Sequence, residues 1–123
     1  MVVLNLVGLA SAQNLFQSDG SGNIYEYTLG GVRSTFASGL SVPYGLAFDG
    51  AGNLFVCNNR VNSIYEYTPG GVQSTFASGF NGPNALAFDS AGNLFEGDYG
   101  GSLNNGTIYE YTPGGVRSTF SPG

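Results

Sequence analysis

At 123 residues the chain is long enough for one modest domain, and a 41% hydrophobic content is enough to fill a core. Only 9% of the residues are charged, the net charge is −5, and His, Lys and Trp are absent. Ser-His-Asp and Cys-His nucleophilic chemistry and His-ligated zinc are therefore excluded, and three Arg are too few to attract nucleic acid or an anionic membrane surface.

The first element, residues 1–12 (MVVLNLVGLASA), reads in two ways. It has the apolar run and the Ala10-Ser11-Ala12 ending of a truncated secretory signal, which would place the protein outside the cell or in a periplasm. Equally, Val3, Leu4, Leu6, Val7 and Leu9 suit an inner β-strand buried on both faces. No apolar run reaches the roughly 20 residues that span a bilayer.

From residue 13 onward the chain repeats itself. Ile24-Tyr25-Glu26-Tyr27-Thr28 recurs at 64–68 and 108–112, and each copy is followed by Gly-Gly-Val-x-Ser-Thr-Phe, ending at Phe36, Phe76 and Phe120. Leu-Ala-Phe-Asp occupies 46–49 and 86–89, and Ala-Gly-Asn-Leu-Phe occupies 51–55 and 91–95. The third unit is four residues longer, and the extra length falls in the Gly/Asn/Ser-rich segment Gly100–Gly106. In the second unit Gly45–Asp49, Asn53–Cys57, Ser63–Thr68 and Val72–Ala77 are short runs rich in Phe, Tyr, Val, Ile and Thr, each a strand signal. Asp49-Gly50-Ala51-Gly52-Asn53 and Thr68-Pro69-Gly70-Gly71 between them are turn sequences.

Four strands about every 40 residues predict an all-β fold, a β-propeller of four-stranded antiparallel blades with about three blades per chain. The expected division is 1–12 as the signal-like segment or first inner strand, 13–40 as an incomplete first blade, 41–80 as the second and 81–123 as the third. Cys57, the one cysteine, reads as a buried, unreactive thiol on a strand. In each Tyr-Glu-Tyr triplet both tyrosines share a face, and a two-residue turn would set Glu26, Glu66 and Glu110 opposite Arg33, Gln73 and Arg117. The tyrosines would then pack between blades or form an aromatic rim for sugars.

The string Pro43-Tyr44-Gly45-Leu46-Ala47-Phe48-Asp49-Gly50-Ala51-Gly52-Asn53-Leu54-Phe55-Val56, with its second copy from Pro83 to Phe95, resembles an NHL-repeat blade. It is also similar to blades of SMP-30/gluconolactonase-like and virginiamycin B lyase-like propellers. The lyase resemblance implies a His base, which this chain lacks. The SMP-30-like resemblance implies an axial divalent metal held by a Glu with Asn and Asp ligands. Asn84 stands at one such position, while Tyr44 stands at the other copy of it.

Asp19, Asn58 and Asp98 follow the second strand of each unit at matching positions. With Asn84 they form the candidate metal set, for which calcium is the suitable ion, and the bland alternative is that they cap turns. Asp49 and Asp89 open the D-x-A-G-N turns and offer the same choice. No other cofactor is expected. Asn105-Gly106-Thr107 is a candidate glycosylation sequon. Three blades leave two apolar faces uncovered, so self-association is expected, a dimer closing a six-bladed ring or a larger assembly, unless the chain is part of a longer repeat protein. The function expected is a non-catalytic extracellular scaffold or binding module. The alternatives are a metal-dependent gluconolactonase-like hydrolase and a carbohydrate-binding repeat surface.

Overall fold

The computed structural model describes the backbone of residues 3–6 and all of residues 14–100 and 105–123. The expected cleavage site Ala10-Ser11-Ala12 lies outside the described residues. Within them the chain is all-β, with three four-stranded antiparallel sheets, each built from strands consecutive in sequence. The first sheet holds β1 (Val3–Leu6), β2 (Leu15–Ser18), β3 (Ile24–Tyr27) and β4 (Arg33–Ala37). The second holds β5 (Pro43–Phe48), β6 (Leu54–Asn58), β7 (Ser63–Tyr67) and β8 (Gln73–Ser78), with one 3-10 turn, Asn59–Val61, between β6 and β7. The third holds β9 (Pro83–Phe88), β10 (Leu94–Asp98), β11 (Ile108–Tyr111) and β12 (Arg117–Ser121). These sheets are propeller blades. Val3–Leu6 pairs with β2 in the inner-strand position that β5 and β9 hold in their own sheets.

Turn chemistry fixes the outer hairpin of every blade. Gly71 donates its N–H to the Thr68 carbonyl at 2.8 Å and sits at φ +87°, while Thr68 and Val72 close the ladder above it. That is a three-residue loop, a type I turn followed by a left-handed glycine. Gly31 and Gly115 repeat it. The longer loop corrects the expected Glu-to-Arg register by one residue. Tyr27, Tyr67 and Tyr111 stand opposite Arg33, Gln73 and Arg117, and Glu26, Glu66 and Glu110 stand opposite Ser34, Ser74 and Ser118. The arginines consequently lie on the tyrosine face, with the Arg33 and Arg117 guanidinium carbons 4.5 and 4.8 Å from the Tyr25 and Tyr109 ring centres.

The core lies between blades. Phe16 and Ile24 of the first blade meet Leu46, Leu54, Val56 and Tyr67 of the second. One blade further on, Phe55 and Ile64 meet Leu94 and Tyr111. Aromatic rings are laced across both boundaries edge to face: Phe16 on Phe48 at 4.9 Å and Phe36 on Tyr67 at 5.7 Å, then Phe55 on Phe88 at 5.1 Å and Phe76 on Tyr111 at 5.3 Å. Near the axis, β5 and β9 approach so closely that a Cβ on Gly45 would stand 2.8 Å from the Asn84 carbonyl oxygen. The insertion in the third unit lies between β10 and β11, where residues 101–104 are outside the described set.

Candidate functional site

Five of the acids and amides singled out in the sequence are engaged by backbone. The Asp49 and Asp89 carboxylates each accept the N–H groups of the residues two and four positions on, Ala51 and Asn53 or Ala91 and Asn93, at 2.8–2.9 Å. Their second oxygens take the Asn53 and Asn93 side-chain amides at 2.9 Å. Asp19 does the same with Ser21 and Asn23, and these bonds hold its carboxyl below the usual aspartate range against the opposing effect of burial. Asp19-Gly20-Ser21-Gly22-Asn23 is thus a third D-x-x-G-N turn, joining β2 to β3, whereas the other two join the first and second strands of their blades. Its carboxylate serves that turn and does not join Asn58 and Asp98.

Asn58 and Asp98 do share a role. Asn58 Oδ1 accepts the Ser41 N–H, and Asp98 Oδ2 accepts the Asn81 N–H at 2.9 Å. Each thereby ties the strand that leaves the blade's inner hairpin to the linker that enters the blade. Backbone bonds reinforce the tie: Asn59 and Tyr99 donate to the Val42 and Gly82 carbonyls at 3.2 and 2.9 Å. Val42 takes a left-handed φ of +56° where Gly82 takes +74°.

These ties position a cleft of about 530 Å³ at the inner-strand end of the second and third blades, lined by Tyr44, Asn59, Asn84 and Tyr99. Tyr44 and Asn84 are equivalent positions of the two repeats, and so are Asn59 and Tyr99. The cleft therefore carries one phenol and one amide at each of two positions. The Asn59 amide donates to the Pro83 carbonyl at 3.0 Å, which holds it in place and leaves its Oδ1 free to accept.

Beside this end lies the most perturbed acid of the chain. Glu96 on β10 is wholly buried, and neither its carboxyl oxygens nor Asp98 Oδ1 has an ordinary donor. Burial, and after it the neighbouring Asp98 carboxyl, pushes Glu96 up to about 9, with Arg117 opposing. At neutral pH Glu96 is protonated and its proton is shared with Asp98. Cys57 is buried nearby, and burial followed by the Glu96 charge raises its thiol far above the range in which a thiolate forms.

As a cation site the set falls short. Of the four candidate residues only Asn84 keeps an uncommitted oxygen, since Asp98 takes the Asn81 N–H on one oxygen and faces the Glu96 carboxyl with the other, and the described residues contain no group of three or more His, Cys, Asp and Glu able to hold a metal. A hard cation takes about six to eight oxygens. Tyr67 and Tyr111 are buried between blades, which assigns these triplet tyrosines to packing. Asn105 is exposed just before β11. Sequence reasoning missed Glu96, Tyr99 and Asn59. The signal for Glu96 was present, since repeat alignment sets it against Val56 and Gln17.

No family model matches this sequence, and neither does any curated protein. Among solved structures, a gluconolactonase from Xanthomonas campestris superposes with a TM-score of 0.80 at 17% identity, over 90% of this chain and 44% of its own. A streptogramin B lyase gives 0.73 at 17% identity, over 94% and 39%. The virginiamycin B lyase from Staphylococcus aureus, solved with quinupristin, gives 0.72 at 20%, over 94% and 40%. The chain spans less than half the length of these structures, and at such identities the likeness carries the propeller fold alone.

Proposed function

We propose that the chain is a non-catalytic binding scaffold and that its ligand site is the cleft between Tyr44, Asn59, Asn84 and Tyr99. The observation that carries this reading is the lining itself: two phenol rings and two carboxamides around about 530 Å³. Phenol faces stack on the C–H faces of a small ring, and amides exchange hydrogen bonds with hydroxyls without contributing charge. The chemistry suits a neutral, hydroxyl-rich molecule of monosaccharide size. Calorimetric titration with a panel of mono- and disaccharides tests it. Saturable binding that is lost in Tyr44→Ala and in Tyr99→Ala supports the site, and no saturable heat with any of them rejects it.

A second reading is a metal-dependent hydrolase of the gluconolactonase kind. It is favoured by Asn84 on the cleft wall and by the Asp98 carboxyl on the adjacent strand. Turnover of a simple lactone that requires calcium or another divalent ion, and that disappears in Asn84→Ala, would establish it over the scaffold reading.

A further inference from the structure

The outer faces of the three-blade stack are the two halves of an interface that the chain already makes internally. Between the second and third blades, Phe55 and Phe76 cross edge to face at 5.1 Å beside Ile64, which is 0% exposed. Leu94, Thr112 and Pro113 of the next blade stand against them. On the outer face of the third blade, Phe95 and Phe120 repeat the edge-to-face pair at 5.1 Å, but here Phe120 is 61% exposed and the neighbouring Ile108 38%. On the outer face of the first blade, the positions of Leu94, Thr112 and Pro113 are taken by Leu15, Thr28 and Leu29, which line an open, mostly apolar groove of about 310 Å³. Each face lacks what the other supplies. Their charges are also opposite, with Arg33 stacked on Tyr25 on the first and Glu110 beside Phe95 on the last.

We propose that a second copy of this chain covers both faces, the last blade of each copy packing on the first blade of the other, so that two chains close one ring. The bend between blades supports closure at two. The whole three-blade stack superposes on 44% of a propeller chain with a TM-score of 0.80, so its blades turn about the axis as those of a chain roughly twice as long do. A head-to-tail contact that closes leaves no free face, and one that does not close grows without limit. The inference rests on the fold alone and holds whether or not the axial cleft binds a ligand.

Native mass spectrometry and sedimentation equilibrium at micromolar concentration test it. The expected result is one species at twice the 12.7 kDa chain mass. Phe120→Asp and Leu29→Asp should each abolish that species, because each spoils one partner of both contacts. Mixing the two variants should restore a species of that mass held by the one contact in which both faces are sound, and it should dissociate more readily on dilution than the wild type because its other contact carries both substitutions. Val116→Asp, at an exposed hairpin tip that every blade carries, should leave it intact. A wild-type chain that is folded and monomeric, a ladder of multiples, or variants that keep the wild-type mass would overturn the proposal.

Discussion

At the position that Val56 fills in the middle blade, the third blade holds Glu96, buried without an ordinary hydrogen-bond donor. Its folded-state value of about 9 lies above the ordinary 4.5, so the folded state binds the proton more tightly than the unfolded one. The stability that goes with this proton is full below the ordinary value and is lost as pH rises toward 9, with a limiting slope of about 1.4 kcal/mol per pH unit. Glu66, raised by burial and then by Asp49, acts in the same direction. Asp19 and Asp89 are lowered, so their contribution is present above the ordinary 3.8 and is lost in stronger acid. Thermal melts should therefore show a maximum in mild acid and a falling Tm through neutrality. Glu96→Gln should flatten the alkaline limb and raise Tm by several degrees near pH 8, since roughly 1 kcal/mol moves a domain of this size by a few degrees. An unchanged pH profile would remove Glu96 from this account. Val42 stores strain of a different kind, a β-branched residue at φ +56° where its repeat partner is Gly82. A left-handed backbone costs such a residue about 1–2 kcal/mol, and glycine returns about 0.5–1 kcal/mol of that to chain entropy. Val42→Gly should accordingly raise the urea midpoint, by the equivalent of about 0.5–1 kcal/mol.

Among the elements, the hairpin loops set the register that places every aromatic ring. Gly71 has φ +87° and open space around it, so a methyl group there meets only backbone strain. Gly71→Ala should cost about 1 kcal/mol in urea unfolding, and Gly31→Ala and Gly115→Ala should cost about the same if the three loops are equivalent. Gly45 is a steric case instead. A side chain there would run into the β9 backbone, and Gly45→Val should cost about 1–3 kcal/mol as overpacking, whereas the matching Ala85 is exposed and tolerates its methyl group. The strands were legible in the sequence because a 40-residue repeat shows each strand and turn more than once. Register was less legible, because Thr-x-Gly-Gly fits loops of two or three residues, and the difference moves Arg33 from the Glu26 face to the Tyr25 face. The grouping of Asp19 with Asn58 and Asp98 had the same kind of cause. Position after the second strand was right, but the following Gly22-Asn23 commits Asp19 to a turn of its own. The cleft was the least legible part, since Tyr44, Asn59, Asn84 and Tyr99 come from two blades and meet only through the bend between them.

For the molecule as a whole, the propeller architecture follows from the period and from alternation in the strands, while the ligand does not, because residues that make blades identical are those that pack them. One property of the architecture has a kinetic side. Every sheet consists of four strands that follow one another along the chain. A blade can therefore form from its own segment without waiting for a distant partner, which keeps loop-closure entropy small and favours fast, local folding. Stability then propagates from neighbour to neighbour, as in a one-dimensional array. Among the described blades the middle one has a neighbour on each side, and its β6 is buried at every residue. Amide hydrogens of Val56 and Cys57 should exchange with solvent most slowly of all, those of β12 among the fastest, and denaturant should release the third blade before the second. Partner chains meeting at the outer blades would compress that gradient, so exchange rates read at β12 across a dilution series would report assembly from inside the backbone.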